Sequence, residues 1–273
     1  MTSIDVTTTS AELVLTGISK SYGTNLAVRD ITADAPAGKV SVIVGPSGCG
    51  KSTLLRIISG LDVPTTGAVT FDGRQVSGVP DGLAMVFQDY ARSLFPWMRV
   101  DKNIAFPLDH LPRTERAARV QEAIDAVGLS GKEKLYPWQM SGGMQQRVAI
   151  ARALASHPKL LLMDEPYASV DAQTRAELED LLLAIQARLG ITVLVVTHDI
   201  DESVYLADHI IVLSKPPSIV AETIEVDLPR PRDHITTKTD PRFVEIRSHV
   251  TRLLRGEGVA AEGPRDSVVS RAR

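Results

Sequence analysis

The run Gly45-Pro46-Ser47-Gly48-Cys49-Gly50-Lys51-Ser52 constrains this chain more than any other feature, because it fits the pattern Gly-x-x-x-x-Gly-Lys-[Ser/Thr]. Residues 39–44 before it crowd β-branched side chains and predict a strand. Residues 51–59 after it predict a helix with Leu54, Leu55 and Ile58 on one face. Strand, glycine-rich loop and helix in that order make a phosphate cradle. The glycines let successive N–H groups curl around phosphate oxygens, and the helix aims its positive end at them. Lys51 then places a cation between β and γ phosphates, Ser52 offers its hydroxyl to Mg²⁺, and Thr53 reaches the α-phosphate side. An ordinary glycine-rich turn would need neither the strand nor the helix. Cys49 fills a variable position of the loop and takes no catalytic role.

A cradle of this kind sits in an α/β domain, and 273 residues hold one such domain with insertions. A formal net charge of −3 lacks the basic surplus of a nucleic-acid binder. The single cysteine excludes an internal disulfide and fits a reducing compartment. No apolar run reaches the ~18 residues a bilayer span needs. Residues 1–10 are rich in Thr and Ser and lack the apolar segment of a secretory signal. We expect a cytosolic chain that meets a membrane only through a partner.

The rest of the chain alternates strand and helix around one change of pattern. Residues 68–76, turning at Asp72-Gly73, read as a hairpin, and residues 83–87 as a buried strand. From about residue 93 to 140 the spacing becomes helical, with Val120, Ile124 and Val127 on one face and Gly128 as a cap. Alternation then resumes with a strand over 160–163 and a helix carrying Leu178, Leu181, Leu182, Ile185 and Leu189. A strand over 191–196, a short helix near 201–206 and a strand over 210–213 follow. Residues 228–240 read as a Pro-containing linker and 242–255 as a last helix. We expect a leader over 1–11, one domain over 12–227 with a helical insertion over about 92–157, a linker and helix over 228–255, and a flexible tail over 256–273.

A second chemical station closes the strand Leu160-Leu161-Leu162-Met163-Asp164-Glu165. At the carboxyl edge of a parallel sheet, beside the cradle, Asp164 holds Mg²⁺ through water, and Glu165 polarises the attacking water as general base. His198 closes the apolar strand that ends at Val196-Thr197 and is placed to hydrogen-bond a γ-phosphate. His110, His157, His209, His234 and His249 share no such context and read as structural or surface residues.

The run Met140-Ser141-Gly142-Gly143-Met144-Gln145-Gln146-Arg147 is a loop turning into a helix, with Ser141 at the cap and two glycines exposing N–H groups. Lying well after the phosphate loop and just before the Asp-Glu strand, it resembles the signature loop of ABC ATPases. The resemblance covers residues 13–226. It implies a P-loop NTPase core of ABC ATPase type, an α/β fold with an antiparallel β subdomain and a helical insertion. It also implies ATP and Mg²⁺ as ligands, Tyr22 stacking on adenine, and Gln88 touching Mg²⁺ and the attacking water. Ser169-Val170-Asp171 looks like the loop that crosses the dimer interface, with Val where the family more often has Leu. Met144 stands where most members carry Gln.

In that family the signature loop of one subunit caps the ATP held by its partner. The resemblance therefore implies a homodimer, or a pair with a paralogue, in which ATP joins two subunits and hydrolysis releases them. A separate transmembrane permease is implied as well, together with an extracytoplasmic solute-binding protein acting through it. The apolar run from Leu94 to Val100 either packs within the helical insertion or grips a permease helix. With the Met144-Gln145-Gln146-Arg147 ending and Leu228-Pro229-Arg230-Pro231-Arg232, it looks like the nitrate, sulfonate and taurine importer group. The competing class, a soluble ABC ATPase acting on nucleic acid or ribosomes, carries a long coiled coil or two ATPase halves, and neither is seen here. Alkylating Cys49, the sole thiol, is expected to block nucleotide binding, and ATP to protect it.

Overall fold

β1 (Leu13–Tyr22) and β2 (Asn25–Ala35) form an antiparallel hairpin in which Tyr22 pairs with Asn25 across a two-residue turn. β3 (Val40–Val44) is buried along its whole length, and the phosphate loop leads from it into α1 (Lys51–Ile58). β4 (Thr66–Phe71) and β5 (Arg74–Gln75) are the expected hairpin. Its turn places Asp72 and Gly73 both at positive φ, 50° and 72°, the backbone that matches strand twist in a two-residue loop. The computed structural model describes residues 12–257. The expected leader over 1–11 and the tail beyond 257 lie outside them.

The chain continues through β6 (Leu83–Val86), α2 (Tyr90–Ser93), α3 (Val100–Ala105), α4 (Arg113–Ala126) and α5 (Gly142–Leu154). Then come β7 (Leu160–Asp164), α6 (Ala172–Leu189), β8 (Thr192–Thr197), α7 (Ile200–Leu206), β9 (His209–Leu213) and β10 (Val220–Glu225). α8 (Thr236–Thr239) and α9 (Pro241–Arg255) close the described chain. One sheet, ordered β2-β1-β4-β5, is antiparallel. The other runs β10-β9-β3-β8-β7-β6 and is parallel except for its edge strand β10. Both faces of that parallel sheet are covered, so β3 and β8 are continuous apolar runs rather than alternating ones. Val40, Val42 and Val44 join the core shared with α5, α6 and α7, while Ile43 joins Leu54, Leu55 and Ile58 under the antiparallel sheet.

The insertion is a set of short helices on α5 rather than one long one. Pro96, Pro107 and Pro112 break the pattern, since proline lacks the amide a helix interior needs. Buried Asn103 stitches the loop before α3, accepting from the Phe95 amide at 2.8 Å and donating to the Phe95 and Met98 carbonyls at 3.1 and 3.0 Å. Gly128, at φ 69°, ends α4 as expected.

Residues 228–240 are packed rather than a free linker. Leu228 and Arg232 are buried, and the Arg232 guanidinium donates to the carbonyls of Tyr205 and Ala207 at the end of α7. The His234 ring stacks on Tyr205 with centroids 4.0 Å apart. α9 starts with Asp240 as cap and Pro241 in its first turn, and buries Phe243, Ile246, Val250 and Leu253 on one face.

α6 and α7 enclose two carboxylates, Glu179 and Glu202, that are almost out of water. Burial raises the Glu179 pKa to about 7, against the opposing pull of Lys238, and pushes Glu202 well above the carboxylate range. A carboxyl whose folded pKa lies above its unfolded value adds stability that is complete below the unfolded pKa and disappears as pH rises through the folded one. Unfolding free energy is therefore expected to fall as pH rises from about 5 to about 8. In chemical denaturation across that range, Glu179→Gln should flatten the fall; an unchanged slope would show that Glu179 is charged in the fold.

Candidate functional site

β3, β8, β7 and β6 run parallel, so the residues that follow them emerge at one edge of the sheet. After β3 the loop turns tightly, with the Cys49 amide donating to the Pro46 carbonyl at 3.2 Å. Gly50 sits at φ 95°, and a Cβ there would lie 2.6 Å from Val28 Cγ1, so both backbone and packing require glycine. Ser47 and Gly48 are exposed on the loop's crown, Pro46 is half-buried and Gly45 is buried. The Lys51 side chain folds back over the loop, donating to the Gly45 and Pro46 carbonyls at 2.9 and 3.0 Å. Ser52 and Thr53 follow in the first turn of α1, Ser52 exposed and Thr53 half-buried.

Cys49 points away from the cradle. Its thiol is fully buried in the core beneath the antiparallel sheet and burial raises its pKa, so only its main chain faces the loop. The alkylation expected from the sequence is thereby corrected: a buried neutral thiol does not compete with nucleotide for reagent.

Asp164 ends β7 with its Oδ1 3.5 Å from the Ser52 hydroxyl. Burial raises its pKa, Ser52 and Lys51 oppose the rise, and the charge of Glu165 adds to it. Glu165 stands at φ 41°, a left-handed backbone rare outside glycine, and its amide donates to Val196 O at 2.8 Å. Strain of that kind gathers at functional sites. Its carboxylate is held from two sides: Gln88 Nε2 donates to Oε2 at 3.1 Å, and His198 Nδ1 lies 3.2 Å from Oε1. Behind them a cleft of about 60 Å³ is lined by Glu165, Tyr167, Arg175, His198, Asp199 and Glu202.

Lys51, Ser52, Asp164, Glu165, Gln88 and His198 thus share one edge. Tyr22 lies at the end of β1 with its ring exposed; its hydroxyl donates to Asp62 at 2.8 Å, and Lys20 Nζ is 5.0 Å from the ring centroid. The remaining residues form a second group. The Ser141 hydroxyl caps α5, accepting from the Met144 amide at 3.4 Å, and Gly142 beside it is exposed. Asp171 caps α6, accepting from the Thr174 amide at 3.0 Å and its hydroxyl at 2.7 Å, which hold its carboxyl below the usual range. Gly143 joins those two helices: a Cβ on it would lie 2.3 Å from Thr174 Cγ2. Among the described residues no hydrogen bond or ion pair links Ser141, Gly142, Gly143 or Asp171 to the first group. Sequence reasoning passed over Asp62, Arg175 and Asp199. Arg175 pairs with Asp199 at 2.8 Å, and Asp199, next to His198, caps α7. A capping Asp directly after His198 was a readable signal; Arg175 carried none.

The residues fit a Mg-nucleotide. Glycine-lined amides and Lys51 suit a polyphosphate. Asp164 and Ser52 are a hard-oxygen pair whose carboxylate lacks a cation. Among the described residues no cluster of three acidic or imidazole groups could hold a metal alone. A pair of hard oxygens is the kind of protein ligand that Mg²⁺ uses, the rest coming from phosphate and water.

Residues 28–168 match the family model described as ABC transporter. The chain belongs to that family. An uncharacterized ABC transporter ATP-binding protein of Methanocaldococcus jannaschii is 46% identical over 233 residues, 85% of each chain. The nitrate import ATP-binding protein NrtD of Synechocystis is 41% identical over 86% of this chain and 90% of its own length. The aliphatic sulfonates import ATP-binding protein SsuB of Bacillus licheniformis is 45% identical over 82% and 85%. The chain spans only 35% of the longer bicarbonate transport ATP-binding protein CmpC of Synechococcus elongatus, at 44% identity. Among solved structures, a dimeric ATP-binding cassette in a post-hydrolysis state with ADP and Pi superposes with a TM-score of 0.69 at 33% identity, over 78% of this chain and 98% of that one. The fold is that of the ABC ATPase cassettes. Gly143→Ala should force α5 and α6 apart and lower stability by about 1–3 kcal/mol, as overpacking does. Thr174→Ser in the same chain should restore it in thermal melts; failure of that rescue would show that the helices do not meet at this contact.

Proposed function

We propose that this chain is the ATP-hydrolysing subunit of an importer for a small oxyanionic solute such as nitrate, a sulfonate or taurine. The observation that carries the hydrolytic reading is the Glu165 carboxylate, fixed between Gln88 and His198 beside the phosphate loop. A general base must be within hydrogen-bond reach of the proton it takes, and it must be aimed. Glu165 is aimed, its backbone turned by the left-handed conformation and its side chain held on either flank beside the phosphate loop.

The cradle from Gly45 to Thr53 binds the phosphates through main-chain amides, and Lys51 leaves its two loop carbonyls to meet them. Tyr22, exposed at the end of β1, stacks on adenine. Ser52 and Asp164 would hold Mg²⁺, with Gln88 beside them, and the bound cation would supply positive charge to the phosphates. Glu165 orients a water and receives its proton, while His198 donates to the γ-phosphate. Hydrolysis is then positioning and electrostatics rather than covalent chemistry.

Ser141, Gly142 and Gly143 present an anion-binding helix start that binds no acidic group among the described residues. Two copies, or this chain and a paralogue, face one another so that each lends this start and Asp171 to the nucleotide of the other. ATP closes the pair, and loss of the γ-phosphate opens it. The receiver of that motion is a transmembrane permease. Phe95, Trp97 and Phe106 form an aromatic cluster just after Gln88, with ring centroids 5.6 and 4.6 Å apart and Trp97 70% exposed. An exposed patch of that kind marks a protein contact. Among the described residues no helix is long and apolar enough to cross a membrane. In this reading the chain works at the cytoplasmic face of the membrane, bound to the permease, which a solute-binding protein loads from the other side.

Glu165→Gln should keep ATP binding, lower turnover by about 10² or more, and accumulate as a dimer with ATP. A variant that stays monomeric with ATP in size-exclusion chromatography would contradict the shared site. Ser141→Arg should damage hydrolysis while the isolated subunit binds ATP as before; lost binding would place Ser141 in its own nucleotide site.

A further inference from the structure

The turn between β9 and β10 carries a fully buried serine that belongs to none of the motifs above. Ser218 sits in a loop stapled to itself, where the Ser214 amide donates to Ile219 O at 3.0 Å and the Ile219 amide returns to Ser214 Oγ at 3.1 Å. Its main chain bridges to β2: the Arg29 amide donates to Ser218 O at 2.8 Å, the Ser218 amide to Ala27 O at 3.4 Å, and Ser218 forms an isolated parallel bridge with Val28. Its side chain turns the other way, and Oγ donates to the carbonyl oxygen of Cys49 inside the phosphate loop.

That bond fixes more than one atom. A peptide unit is planar and trans, so its carbonyl and the following N–H point in opposite directions. Holding the Cys49 carbonyl toward Ser218 therefore aims the Gly50 amide away from it. Among the described residues nothing accepts the Gly50 amide. Gly50 cannot settle its orientation by a side chain, and Val28 Cγ1 stands where its Cβ would be. Glycine is also the residue with the most backbone freedom to lose, so an external restraint on this peptide plane matters more here than elsewhere.

We propose that Ser218 is a positioning residue for nucleotide binding. It sets the Cys49–Gly50 peptide so that the Gly50 N–H faces the phosphates, and it ties that setting to β2, the strand paired with the one that carries Tyr22. The inference rests on the phosphate loop being the ATP site. Its effect is on affinity for the polyphosphate, not on the proton transfer at Glu165.

The test uses the full chain with Ser218→Ala, Ser218→Thr and, as a control on the ATP site itself, Lys51→Ala. Mg-ATP and Mg-ADP affinities come from calorimetry, and KM and kcat from steady-state hydrolysis. Ser218→Ala should weaken ATP and ADP alike and raise KM by about tenfold, the loss expected for one hydrogen bond to a charged ligand. Its kcat at saturating ATP should stay within about twofold of wild type, and Ser218→Thr, which keeps the hydroxyl, should retain wild-type KM. A Ser218→Ala chain that melts lower yet binds ATP normally overturns the proposal, since that is all a structural hydroxyl would do. If Ser218→Ala fails to fold, the Thr variant decides: a KM raised as in Lys51→Ala, in a chain that melts like wild type, also overturns it. Normal ATP binding by Lys51→Ala would instead defeat the reading of the loop as the nucleotide site.

Discussion

Parallel pairing of β3 with β8, β8 with β7 and β7 with β6 is the constraint on which the site depends. In that register Val44 lies beside Thr197, Val196 beside Asp164, and Met163 beside Val86. The residues just past those positions are Gly45, His198, Glu165 and, after Phe87, Gln88. No local preference brings them together, since they are up to about 150 residues apart in sequence. The burial of both sheet faces does it: strands apolar along their whole length are held side by side between covering helices, and the parallel ladder brings their ends to one edge.

The electrostatics of that edge are unfinished by the protein alone. Asp164 and Glu165 are adjacent carboxylates, and burial disfavours the charge on Asp164. Lys51, the cation set among them, is spent on two main-chain carbonyls. Under the proposed function a bound polyphosphate and its metal would change both conditions, the phosphates drawing the ammonium and the metal offsetting the carboxylate charge. The compensation would then come with the ligand, which is what a ligand-driven switch requires. The His198–Glu165 contact lies within the same group.

Much of this was legible because strands and phosphate loops have strong local patterns. β3, β7 and β8 stood out as apolar runs, and the loop by its glycines and lysine. Ser141 stood out as a cap, whereas the capping role of Asp171 came only with the structure. The misreadings share a physical cause. Residues 228–240 read as a linker because Pro and Arg dominate them, yet Arg232 is buried against carbonyls of Tyr205 and Ala207, partners that carry no sequence signal. The insertion read as helical without its breaks, which fall at prolines that cut it into short helices. Cys49 was expected to be open to alkylation because sequence does not say which way a side chain in a tight turn points. Ser218 was invisible for the same reason, since a serine in a Pro-containing turn announces nothing about a main-chain carbonyl far off in the sequence.

One helix serves two functions in this arrangement. The first turn of α6 presents Thr174 to Gly143 at the start of α5, and the next residue, Arg175, holds Asp199 beside His198. The start of α5 and the turn that bears His198 therefore lean on consecutive residues of one element. Under the proposed pairing of two copies, a displacement of α5 would reach Thr174 first and, through Arg175, the Asp199 cap beside His198. Gly143 makes that transmission tight: any larger residue would hold α5 off α6 and loosen the contact that joins the two sites.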